Sequence, residues 1–119
     1  MAKSLYEKYG GFAAINKVVL SFYDRVLDSD DIAPYFETVE MSRLVDHQTK
    51  FFAALLGGPA SFSDEHLRHV HATLGITDTA FDDIKIMLHA ALVEHGFAAS
   101  DADTVVDEIE QRRRLIVTR

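Results

Sequence analysis

Apolar residues in this chain recur at three- and four-residue spacing in one block after another, and nearly every block stops at a glycine. That period follows one face of an α-helix, whereas a strand would alternate every second residue, so the pattern predicts an all-α fold with short loops. Ser4 and Glu7 have the spacing of a capping box for a short opening helix, which Gly10 and Gly11 stop. Ile15, Val19, Phe22 and Val26 trace the inner face of a second helix, from Phe12 to about Leu27. Residues 28–37 read as an irregular corner with Tyr35 and Phe36 turned inward. Met41, Leu44, Val45, Phe51, Phe52, Leu55 and Leu56 mark the next helix, ended by Gly57, Gly58 and Pro59. Ser61 and Asp64 predict a cap for a short helix with Leu67, Val70 and Leu74 inward and Gly75 at its end. A longer helix follows over 77–95, with Phe81, Ile84, Leu88, Ala91 and Leu92 inward and Gly96 as its stop. Ser100 and Asp103 are expected to open a last helix carrying Val105, Val106, Ile109 and Ile116. Its closing arginines, Arg112 to Arg114, suit the negative end of the helix dipole.

Composition narrows the class. A length of 119 residues suits a single domain over 1–119 that can bury a core without staples. The absence of cysteine removes disulfides, thiolate metal sites and thioether haem attachment, so any metal falls to His, Asp or Glu. A net charge of −7 repels phosphate backbones, so nucleic acid is not an expected partner. No run approaches the roughly 18 apolar residues of a membrane span. The first residues lack the apolar core of a secretory signal, so the expected location is cytoplasmic.

Three polar residues interrupt apolar stripes, where burial is costly without a partner. His71 lies in line with Leu67, Val70 and Leu74. Gln48 lies in line with Met41, Leu44, Phe51 and Leu55, and Tyr23 sits beside Phe22. All three could meet one interior object, yet each also has a plain structural account, such as an inward histidine bonded to a backbone carbonyl. Spacing alone gives a helical domain with a polar site in its core. Of the other histidines, His66, His69, His89 and His95 fall on outer faces, and His47 sits at the flank of its helix's inner stripe, able to turn in or out.

Several segments in order resemble the truncated globins, in particular the shortest subfamily with its two-on-two helical sandwich. They are Leu5-Tyr6-Glu7-Lys8-Tyr9-Gly10-Gly11, Phe22-Tyr23-Asp24-Arg25-Val26-Leu27, Tyr35-Phe36, Asp46-His47-Gln48-Thr49-Lys50-Phe51-Phe52 with Leu56-Gly57-Gly58-Pro59, and Leu67-Arg68-His69-Val70-His71. The resemblance spans nearly the whole chain.

The resemblance implies a haem b, held non-covalently, with His71 as the proximal iron ligand. It implies an apolar slot made by Phe36, Phe51, Ile76, Phe81, Ile84 and Leu88, with Leu67 near His71 and with Arg43 and Arg68 as partners for the propionates. Tyr23 and Gln48 become donors to a bound diatomic gas, O₂, NO or CO, and Leu44 limits the donors to these two. Phe52 resembles a residue that gates a ligand tunnel, a place that core packing explains equally well. His47 resembles a histidine that coordinates iron in some cyanobacterial members, which opens a bis-histidyl electron-transfer or gas-sensing alternative. No histidine follows His95, so a covalent link from the last helix to haem is not expected. Reversible gas binding by a monomer is the leading expectation. NO dioxygenation is its reactive extension, and because the chain has no flavin or nicotinamide motif it would need an unidentified reductase.

Overall fold

Helix α2 is the element on which the others pack. In the computed structural model, whose described residues are 4–37, 39–58 and 75–117, it spans Gly11–Asp28 and buries Ile15, Val18, Val19, Phe22, Tyr23 and Val26. A short helix α1, Leu5–Lys8, precedes it, and the Ser4 hydroxyl accepts from the Glu7 backbone as the cap spacing predicts. A 3₁₀ turn at Ala33–Phe36 with proline in its first turn forms the corner. Helix α3 covers Met41–Leu55, α4 Asp78–Glu94, α5 Ala99–Glu110 and α6 Arg113–Ile116. No strand occurs among the described residues.

Helices α3 and α4 both lie on α2, and α5 lies on α4, while α3 and α4 make little direct contact with each other. One cluster of buried apolar side chains fills the junctions, centred on Val19, Val26, Phe81, Leu88 and Val105. The amide of Tyr6 donates to the Leu56 carbonyl at 2.9 Å, which ties α1 to the end of α3. Gly57 allows this closure: its φ is +92°, and a Cβ there would lie 2.8 Å from that of Ser4.

Two boundaries differ from expectation. Ser100 and Asp103 do not open α5. The helix begins at Ala99 behind Ala98, which has extended backbone and no capping side chain. Its start is fixed from a distance, because the Tyr9 hydroxyl accepts from the Ala98 amide at 3.0 Å and donates to Asp101 at 2.5 Å. The last helix is also not continuous through its arginines. It breaks at Gln111 and Arg112, and α6 starts anew where Arg113 bonds to Asp78, Asp82 and Glu110. The short helix expected after Ser61, with Leu67, Arg68 and His71, lies outside the described residues.

Candidate functional site

Tyr23 is 4% exposed in the middle of the core. Burial pushes its phenol far above the ordinary tyrosine value, so the ring keeps its proton at any physiological pH. The Gln48 side chain, from α3, acts the other way by hydrogen bonding. The two side chains thus lie within hydrogen-bonding reach of each other, one from α2 and one from α3. The structure therefore joins two of the three polar residues that the apolar stripes singled out.

Aromatic rings surround this pair. Phe36 stands edge-on to Tyr23 with centroids 5.7 Å apart, and Phe22 tilts against it at 4.8 Å. Phe52 meets Phe22 at 6.5 Å and Phe51 at 5.5 Å. Phe52 also lines a small apolar cavity with Ile15, Val18, Leu88, Leu92 and Phe97. Phe81, Leu88 and Ile76 are buried, and Leu44 and Ile84 are half-buried against the core. Arg43 and His47 are exposed on α3. The remaining histidines of the described residues sit outside this centre: His89 pairs with Asp103 at 2.8 Å rather than facing solvent alone, and His95 lies beside Glu94.

The bacterial-like globin family matches residues 4–117. A group 1 truncated haemoglobin of Mycolicibacterium paratuberculosis is 34% identical over 106 residues, 89% of this chain and 78% of that protein. The chain belongs to the group 1 truncated haemoglobins. Another relative, from Synechocystis, is 35% identical over 97 residues, 78% of each chain. Among solved structures, the ferric truncated haemoglobin of Tetrahymena pyriformis superposes with a TM-score of 0.89 at 28% identity, covering 98% of this chain and all of that one. A Synechococcus two-on-two haemoglobin with covalently attached haem gives 0.85 at 31% identity, again covering 98% and 100%. The fold is thus the two-on-two sandwich, and a globin of this family is a haem-binding, gas-binding protein.

The residues present fit such a group. In this truncated haemoglobin α3 and α4 both pack on α2, and each carries half-buried apolar side chains. Tyr23, with Gln48 within reach, brings a hydroxyl into that apolar setting. A flat apolar macrocycle that carries a small polar ligand matches such a lining.

Sequence reasoning missed a second polar contact between the same helices, Asn16 on α2 with Thr49 on α3, at 3.2 Å. A signal for it exists: Asn16 lies seven residues before Tyr23, two helical turns along the same face.

Proposed function

We propose that this chain holds haem b non-covalently and reversibly binds O₂, NO and CO, with His71 on the iron and Tyr23 and Gln48 as donors to the gas. The observation that carries this reading is the Tyr23 hydroxyl, buried in the core beside Phe22 and Phe36 with the Gln48 side chain within reach of it. When bound, the haem iron supplies the site for the gas and the one-electron step by which O₂ and NO become nitrate.

The chain's own residues determine how long the gas stays. A hydrogen bond to an acceptor with partial charge is worth about 1.5–3 kcal/mol, or about ten- to a hundredfold in a dissociation rate. Leu44 has no donor, so Tyr23 and Gln48 act alone. Phe36, Phe51, Ile76, Phe81, Ile84 and Leu88, with Leu67, form the apolar slot that excludes water. Arg43, exposed near the start of α3, and Arg68 are placed by this reading at the propionates. NO dioxygenation would leave the iron ferric, and an external reductase would return the electron. With no histidine beyond His95, α5 and α6 offer no imidazole for the covalent attachment seen in the Synechococcus protein.

Haemin titration tests the assignment. Wild type should develop a Soret band at one equivalent and His71→Ala should not. An unaltered titration in His71→Ala would move the axial ligand elsewhere. His47 is exposed on α3, so the ferric spectrum should not change in His47→Ala. A low-spin spectrum that this substitution abolishes would instead favour the bis-histidyl alternative.

A further inference from the structure

Helix α3 carries two adjacent residues that reach α2 at places two turns apart. Gln48 meets the Tyr23 hydroxyl. Thr49 Oγ1 accepts from Asn16 Nδ2 at 3.2 Å and donates to the Val45 carbonyl at 2.8 Å. Asn16 and Tyr23, seven residues apart, are separated by about 10 Å along α2, whereas Gln48 and Thr49 diverge by about 100° around α3. The two contacts are therefore separate polar points between α2 and α3. A helix held at one polar point can turn about it, while a second, separate point restrains its rotation.

The contact is built for direction. Thr49 is 7% exposed and is the one buried polar side chain among the described residues apart from Tyr23. Its proton is committed to Val45, so toward α2 it can only accept, and it selects the amide nitrogen of Asn16. The lever is long. A rotation of about 10° moves a side-chain tip 5–6 Å from the helix axis by about 1 Å. That is enough to take a hydrogen bond from about 2.9 Å to beyond 3.5 Å.

We propose that Asn16 and Thr49 are positioning residues for gas retention: their contact sets the rotation of α3 and so holds the Gln48 amide on Tyr23. This rests on the donor role of Tyr23 and Gln48 proposed above. The test is a cycle of O₂ dissociation rates by stopped flow on haem-loaded wild type, Thr49→Val, Gln48→Leu and the double variant. Thr49→Val keeps the shape and removes the hydroxyl. It should speed dissociation by about three- to tenfold, the worth of one neutral hydrogen bond. In the Gln48→Leu background it should add nothing, and Thr49→Ser should restore the wild-type rate. Asn16→Ala, from the less buried partner, should reproduce the Thr49→Val rate and carries the test if Thr49→Val does not fold. In the CO-loaded protein, the Gln48 side-chain amide signals should shift and exchange faster with solvent in Thr49→Val, a readout that does not depend on gas release. Wild-type rates in Thr49→Val and Asn16→Ala, or an equal acceleration in both backgrounds, would overturn the proposal. If Gln48→Leu itself left the rate unchanged, the donor role would fall first, and the unshifted or shifted amide signals would still report on the positioning.

Discussion

The α2–α3 contact and the far end of the molecule, where α4, α5 and α6 meet, are held together by opposite means. Between α2 and α3 the polar contacts are few, neutral and covered: Tyr23 with Gln48, Asn16 with Thr49. At the other end they are many, charged and open to water. The Arg113 guanidinium bonds to Asp78, Asp82 and Glu110, and Lys85 adds contacts to Asp82 and Glu110. Exposed ion pairs are screened and individually weak, whereas a buried neutral contact fixes geometry because its loss leaves a group unsatisfied. The difference separates a region that positions a site from one that fastens helices.

The largest effect should come from apolar burial beneath the charged end. Phe81 is 1% exposed with the Arg113 guanidinium 4.6 Å from its ring centroid. Phe81→Ala should lower the unfolding free energy by about 3–5 kcal/mol in denaturant titration. A loss comparable to that of a surface substitution would show that the charges, not the core, hold this end.

A smaller effect should appear in acid. Arg113 and Lys85 hold the Glu110 carboxyl at about 2, below its ordinary 4.5, and Arg113 and Lys8 lower Asp82 and Asp101 in the same direction. A carboxylate with a depressed value in the folded state stabilises above its unfolded value and loses that contribution as pH falls toward the folded one. The melting temperature should therefore decline as pH drops from about 4.5 toward 2, more shallowly in Arg113→Met, and at neutral pH the wild-type advantage over that variant should shrink in high salt. A salt-independent difference would mean that Arg113 acts through packing on Phe81 instead. Smallest of all, Lys50→Ala removes an exposed pair with Asp46 at 3.1 Å and should leave the melting temperature unchanged. A clear drop would show that exposed pairs matter more here than the comparison allows.

The same contrast explains what the sequence made legible. Local physics set the Ser4 cap, the inward faces of α2, α3 and α4, and the stop at Gly96, and each of these is read from residues a turn or two apart. Tyr23 and Gln48 were visible because a polar group on an apolar stripe demands a partner. The start of α5 was not, because its anchor is Tyr9, some ninety residues away, while Ser100 and Asp103 gave a local cap signal that went unused. The break before α6 carries no glycine or proline to mark it, and Arg113, at the start of α6, pairs with Asp78 and Asp82, more than thirty residues back in the chain. Asn16 and Thr49 passed unnoticed for a related reason: each is unremarkable on its own helix, and only the crossing of α2 and α3 brings them together.

Tyr23→Phe puts the central claim at risk most directly, because it removes one hydroxyl from a buried ring and changes almost nothing else. The quantity to measure is the O₂ dissociation rate of the haem-loaded ferrous protein. If Tyr23 donates to the gas, the rate should rise about ten- to a hundredfold while the Soret band and the melting temperature stay close to wild type. A wild-type rate in Tyr23→Phe would contradict the account and leave the buried phenol as core packing.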